Sequence, residues 1–296
     1  QTQLGLHDRS LYDFLDTLVA LGFLKRTGLK QNAMYSNADD TDLFLDKNKI
    51  SYVGGILEMS NNRLYPFWNH LEEALKTGKP QNESKNGGAS LFDAIYADEK
   101  VLREFLHAMG GVQAGNFDFF ARHFDFSNYD THLDVGGSGG NLSVHIVKNN
   151  PHISSISFDL PPVAPIARSN FKTLGFSDKI SARAGDFFID DLPKADLITM
   201  GNVLHDWGTA DKKMLIQKAY NALPKNGALV VIENIIDNDR SINAFGLMMS
   251  LNMLIETDEG FDFSLADFEE WAREAGFKKT SIMPLTGPSS AVIALK

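Results

Sequence analysis

Residues 131–141 read THLDVGGSGGN. The apolar Leu133 and Val135 lead into a run of small residues, and a helical pattern, LSVHIVKNN at 142–150, follows. This is a strand entering a helix through a glycine-rich turn. Glycine lets the backbone turn sharply there and approach a ligand closely. The dinucleotide fingerprint G-x-G-x-x-G is not met, because counting from Gly137 and Gly139 puts Leu142 in the third position. A phosphate-gripping lysine is also missing. Instead an acid, Asp134, stands two residues before Gly136, with Gly137 next. An acid beside the turn suits a cationic ligand, such as a sulfonium with an amino-acid tail, and would repel a pyrophosphate.

Outward from this turn the grammar repeats. ISSISFDL (153–160) reads as a strand, VAPIARSNFKTLG (163–175) as a helix and ISARAGDFF (180–188) as a strand. ADLITMGNVL (195–204) is a strand, DKKMLIQKAYNAL (211–223) a helix and GALVVIENII (227–236) a strand. A helix at 265–276 precedes two closing strands, KKTSIMPL and SAVIALK. Alternating strands and helices predict an α/β, Rossmann-like, doubly wound parallel sheet, with its ligand beyond the carboxyl ends of the strands. No internal repeat is evident.

Three acids fall at three successive strand ends. Asp134 is the first. Asp159, followed by Leu160, lies about twenty residues after the turn, where a carboxylate can accept both ribose hydroxyls. Asp186 is followed by Phe187, a pair able to hold an adenine amine and stack its ring. A single aspartate at a strand end is ordinarily a turn or helix cap. Three in series after a glycine turn imply S-adenosyl-L-methionine.

The N-terminal part is different. RSLYDFLDTLVALGFL (9–24) has helical apolar spacing that ends at Gly22, and FLKRTG with AMYSNA reads as a short hairpin. Helix then hairpin resembles the end of a winged helix. Residues 56–78 read as a helix kinked at Pro66, 78–90 as a polar loop and 89–125 as helical. The predicted domains are a winged-helix-like and helical region, 1–112, for dimerisation and substrate, and a cofactor-binding domain, 113–296. The abrupt start predicts an upstream segment.

The 296 residues carry a net charge of −10, which argues against nucleic acid despite the winged-helix pattern. With no cysteine, disulfides and thiolate metal sites are excluded. No apolar run approaches the ~18–20 residues of a membrane span, and QTQLGLHDRSLYDF lacks the features of a signal peptide. The expectation is a cytoplasmic protein.

The ordered set LDVGGSGG, FDLPPV, AGDFF, NVLHDW, LPKNGALVVIENI, SLNMLIET and FEEWAREAGF resembles the S-adenosylmethionine-dependent O-methyltransferases of the caffeic acid and acetylserotonin class. Bacterial natural-product methyltransferases of that class are also similar. The resemblance covers most of the chain and implies a homodimer. It implies a general base at His205, with Glu233 holding the imidazole. A further carboxylate matches Asp262, one methylene shorter than the glutamate usual there. Ser138 stands where the turn usually has glycine. Gly201 joins the implied cofactor contacts. In SLNMLIET, Asn252 and Glu256 match acceptor contacts, and Glu256 replaces an amide, which implies a more polar acceptor. Trp68, Met109, Met249 and Met253 belong to apolar stretches that imply a flat aromatic acceptor. By default such residues are helix-packing core.

Chemistry supports the histidine. A phenol has a pKa near 10, so little of it is ionised at neutral pH. A neutral imidazole can take its proton as the new bond forms, a gain of about 10²–10⁴-fold. Trp207 would pack the loop, and Asp206 would cap the next helix or support the loop. The histidine base and the extra N-terminal region imply independence from metal. The rival readings are carbon, nitrogen or carboxyl methylation on the same fold, and a cofactor-binding sensor without turnover.

Overall fold

The computed structural model describes residues 4–49, 51–85 and 87–296. Helix α1 (Asp8–Ala20) leads into the antiparallel pair β1 (Leu24–Thr27) and β2 (Met34–Asn37), as the sequence predicts. Short helices follow: α2 (Asp39–Phe44), α3 (Gly55–Met59), α4 (Tyr65–Trp68), α5 (Leu71–Thr77) and α6 (Leu91–Tyr96).

The single kinked helix expected over 56–78 is instead segmented. Residues Ser60–Leu64 form a π-helical turn between α3 and α4, directly before Pro66. Proline has no N–H to donate and its ring clashes with the carbonyl four residues back. A wider turn gives the ring room, and at the start of α4 the missing N–H is one that would have no partner within that helix. Arg63 lies within this turn. The long helix α7 (Glu99–His123) is capped by Asp98, whose carboxylate accepts the N–H groups of Lys100 and Val101. The expected domain boundary at 112/113 falls inside this helix.

From residue 131 the alternation is realised as β3 (Thr131–Val135), α8 (Asn141–Asn149), β4 (Ser154–Asp159), α9 (Ala164–Leu174), β5 (Ile180–Ala184), β6 (Leu197–Gly201), α10 (Thr209–Ala222), β7 (Ala228–Glu233), α11 (Ala244–Glu256), α12 (Leu265–Ala275), β8 (Lys279–Pro284) and β9 (Ser290–Leu295). The sheet order is β5-β4-β3-β6-β7-β9-β8. The sheet is therefore mixed: the first five strands run parallel, and β9 enters antiparallel between β7 and β8. Chain order reverses between β3 and β6, and a crevice opens at such a switch point.

Period two explains why the central strands are mainly apolar on both faces. Leu133, Val135, Ile198, Met200, Leu229 and Val231 point to one face, against α10 and α12. Leu197, Ala228, Val230 and Ile232 point to the other, against α7 and α8. A strand covered on both faces shows little of its length to solvent.

The second face also holds a polar network. His132 Nδ1 meets Ser155 Oγ at 2.8 Å and its Nε2 meets Thr199 Oγ1 at 2.8 Å. Thr199 donates to Asp134 at 2.8 Å, Ser155 to Ser143 at 2.9 Å, and Ser143 to the other oxygen of Asp134 at 3.3 Å. These five side chains close a buried ring under the glycine turn.

Among the described residues, no helix is long and apolar enough to cross a membrane.

Candidate active site

The glycine turn is built by backbone constraint. Gly136 has φ +66°, and its N–H and that of Gly137 both donate to Phe158 O, at 2.9 and 3.2 Å. A Cβ on Gly136 would stand 2.6 Å from Val203 Cγ2. Ser138 also lies in the left-handed region, φ +54°. Its departure from glycine therefore matters through backbone conformation rather than size, at a cost of about 1–2 kcal/mol. The Ser138 N–H donates to Asp159 Oδ2 at 2.8 Å, and Leu160 N–H donates to Oδ1 at 2.7 Å. Burial pushes the Asp159 carboxyl up to about 6, against the pull of these two bonds.

The other expected cofactor residues separate. Both oxygens of Asp134 are taken up by hydroxyls of the ring, and burial pushes it up to about 7. As at Asp159, a nearby cation would favour its ionised form. Strand β5 stops at Ala184, so Asp186 lies in the turn beyond it rather than at the strand end. Its Oδ1 accepts the N–H of Phe188 at 2.8 Å. Phe187 meets Trp207 edge-on at 5.9 Å. Gly201 ends β6, where a Cβ would stand 3.3 Å from the ring of Phe117.

Past Gly201, the chain makes a 3₁₀ turn over Leu204–Asp206. Glu233, the last residue of β7, organises it. Its Oε1 accepts the N–H of Val203 at 3.1 Å, of Leu204 at 3.0 Å and of His205 at 3.4 Å. Its Oε2 faces His205 Nδ1 at 3.5 Å, and Asp262 Oδ1 faces the same nitrogen at 3.4 Å. The three residues expected to act together are thus together, all buried. The shorter side chain of Asp262 still reaches the imidazole, from the segment between α11 and α12.

Asp206 does not cap the next helix. The N-cap of α10 is Gly208, with no side-chain cap. Asp206 instead turns inward, with Oδ1 3.6 Å from His205 Nε2. Trp207 does pack the loop, stacked on Phe92 at 5.7 Å and edge-on to Phe188 at 4.6 Å.

Burial opposes the charged imidazole, yet Glu233, Asp206 and Asp262 outweigh it and push His205 up to about 10. Burial pushes Glu233 up to about 7 and Asp206 up to about 6, against the attraction of the imidazole. The cluster as a whole holds protons more tightly than the same groups would in water.

On the acceptor side, Trp68 Nε1 donates to Asn252 Oδ1 at 2.8 Å, joining α4 to α11. Met253 is buried in α11, while Met249 on that helix and Met109 on α7 are partly exposed. Glu256 is not free to meet an acceptor as a bare charge. It is ion-paired with Arg63, which also grips Glu83 in two hydrogen bonds of 2.8 and 2.6 Å. A cavity of about 320 Å³ is lined by Phe92, Trp207, Asp206 and Glu256 among others.

Three residues that sequence reasoning missed belong here: Arg63, Tyr96 and Lys212. Tyr96 closes α6. Burial, then the charges of Asp159 and Asp206, holds its hydroxyl well above the usual range. It therefore shares space with both acids. No motif marked it.

The family model described as "O-methyltransferase domain" matches residues 68–278. The chain belongs to the O-methyltransferase family. This methyltransferase is 38% identical over 292 residues to the tetracenomycin polyketide synthesis 8-O-methyl transferase TcmO of Streptomyces glaucescens, covering 99% of this chain and 84% of that one. It is 29% identical over 266 residues to the N,N-dimethyltransferase OxyT of Streptomyces rimosus, covering 90% and 76%. The crystal structure of human N-acetylserotonin methyltransferase in complex with SAM superposes on the methyltransferase with a TM-score of 0.90. The identity there is 29%, and the match covers 97% of this chain and 83% of that one.

Proposed function

We propose that this S-adenosylmethionine-dependent O-methyltransferase uses His205 as a general base on a hydroxyl of a small aromatic molecule. The observation that carries the reading is the buried imidazole at the end of β6 with Nδ1 facing Glu233 and Asp262. Held there, Nδ1 keeps its hydrogen, and the other ring nitrogen is the one that can accept a proton.

The residues present fit the cofactor. Asp159 uses one lone pair on each oxygen for the backbone and has others for ribose hydroxyls. Asp159 and Asp206 are both acids whose ionised form burial disfavours, and a nearby cation would relieve them. When bound, S-adenosylmethionine supplies a methyl group already activated on sulfonium. The chain's part is then placement and proton handling. His205 takes the acceptor proton, Glu233 fixes the turn and the ring, and Asp262 stabilises the imidazolium. Asp159 and Leu160 take the ribose side, the 136–138 turn the approach of the backbone, and Asp186 with Phe187 the adenine.

The acceptor wall is assigned to Trp68, Met109, Met249, Asn252 and Met253, with Glu256 neutralised by Arg63. The cluster around His205 is assigned to proton transfer rather than to a metal. Residues 1–112 are read as the dimerisation and substrate region, and 113–296 as the cofactor domain. Helix α1 supports a homodimer: none of its residues is buried, and Tyr12 and Phe14 stand exposed beside Leu21 and Phe23. Apolar surface of that extent ordinarily has a partner. A cytoplasmic setting fits a reaction that consumes this cofactor.

A second reading, nitrogen methylation, is favoured by the similarity to OxyT. The deciding experiment is formation of S-adenosylhomocysteine with phenol, carboxylate and amine libraries. Turnover confined to phenols supports the oxygen reading, and turnover confined to amines replaces it.

A further inference from the structure

Lys212 is completely buried, which is rare for lysine unless its charge is met. It lies in the first turns of α10, where its backbone N–H donates to Gly208 O at 3.0 Å. The Nζ donates to the carbonyl oxygen of Trp207. The same Nζ stands 3.5 Å above the ring of Phe261 and 5.8 Å from that of Phe263. Trp207 is two residues after His205, and Phe261 and Phe263 flank Asp262. One ammonium therefore touches both chain segments that must meet for His205 to face Asp262.

We propose that Lys212 is a positioning residue for methyl transfer: it ties the His205 turn to the Asp262 segment and supplies the cation that lets the imidazole give up its proton. This rests on the reading of His205 as base. The charge balance supports it. The imidazole is faced by Asp206 on its own turn, Glu233 on β7 and Asp262 on the following loop. Asp211 lies beside Lys212 on α10, and Glu256 and Tyr96 face Asp206 from α11 and α6. Three close carboxylates around one imidazole bind a proton too firmly for a base. Lys212 is attracted by the same Glu233, Asp262 and Asp206, so its charge competes with the imidazolium for them. Burial pulls Lys212 itself down to about 8, against the attraction of Glu233, Asp262 and Asp206, so the ammonium is the main form at neutral pH. A lysine that merely filled space would leave the acid–base behaviour of His205 untouched.

The test is the pH dependence of kcat/KM for Lys212→Met, beside wild type and His205→Ala, with cofactor affinity from calorimetry. The limb on which the rate rises with pH should move upward by about one pH unit, the scale of one nearby charge. At a fixed pH on that limb this is about a tenfold loss. Cofactor affinity should stay at the wild-type value. Adding Asp262→Asn, which removes one negative charge, should bring the limb back down. A limb unmoved in Lys212→Met while His205→Ala abolishes it overturns the role of Lys212 and leaves the base in place. A limb that survives in His205→Ala overturns the base itself. If Lys212→Met does not accumulate as folded protein, the double variant decides. Recovery of soluble, cofactor-binding protein supports the balance, and no recovery overturns it.

Discussion

One oxygen of Glu233 gathers the backbone N–H groups of the His205 turn, while the other faces Nδ1 of the imidazole at 3.5 Å. A single carboxylate thus fixes both where the turn runs and which way the ring points. Shortening it to aspartate would separate the two duties, since one of the contacts must be given up.

His205→Ala should leave cofactor affinity nearly unchanged, because Asp159 and the glycine turn lie on other strand ends. Methylation of a phenol should fall by at least about 10²-fold. The loss should shrink for acceptors of lower pKa, which arrive already ionised. Near-normal turnover on a high-pKa phenol would remove His205 from the mechanism.

The pH dependence has a definite sign. The base works when neutral, and the surrounding carboxylates raise its proton affinity above that of free imidazole. The rate should therefore rise with pH through an apparent pKa above the ordinary 6.5 and then level. A sulfonium nearby opposes the charged imidazole, so the limb in kcat should lie below that in kcat/KM. An apparent pKa below 6.5 in kcat/KM would contradict the cluster's excess of negative charge.

Asp159→Ala should weaken cofactor binding by about 1.5–3 kcal/mol, the scale of hydrogen bonds to a charged group. Calorimetry is the measurement. Equal affinity would end the ribose assignment.

Arg63→Ala should destabilise the fold by about 3–5 kcal/mol, because Glu256 would be left buried without its partner. Glu256→Gln added to it should recover part of the loss. Chemical denaturation of the four proteins in the cycle measures this, and strict additivity would show that the two side chains do not depend on each other.

Treatment with a chelator should leave the rate unchanged. If activity is lost and a divalent ion restores it, the His205–Glu233–Asp262 cluster is a metal site instead.

Much of this architecture can be read from the sequence, for reasons that differ by residue. The strands are legible because both faces of the sheet are covered, so ALVVI is apolar without interruption and LITM is broken only by the buried Thr199. His205 and Asp262 are legible by resemblance to a known order of motifs. Their contact is not legible from spacing, since it depends on how two loops converge. Arg63 and Glu256 are 193 residues apart, and neither stretch hints at the other. The π turn before Pro66 hides inside an ordinary helical pattern. Lys212 looks like a solvent-facing lysine beside Lys213, and only the convergence of Trp207 and Phe261 takes it out of water. Asp206 follows histidine in the position of a helix cap, and the 3₁₀ turn carries it inward instead.

The ring beneath the glycine turn can be treated as a count of hydrogens. Its five links, His132 to Ser155, Ser155 to Ser143, Ser143 to Asp134, Asp134 to Thr199 and Thr199 to His132, each need one. The three hydroxyls bring one apiece and a neutral imidazole brings one more, which leaves one link empty while Asp134 is ionised. One further proton completes the circuit and cancels its charge. Burial lifts Asp134 to about 7 and drops His132 to about 3, which places that proton on the carboxyl. An amide at this position would fill the same five links with no titration at all. Around neutral pH this aspartate therefore serves as much as a hydrogen-bonding shape as it does as an ion.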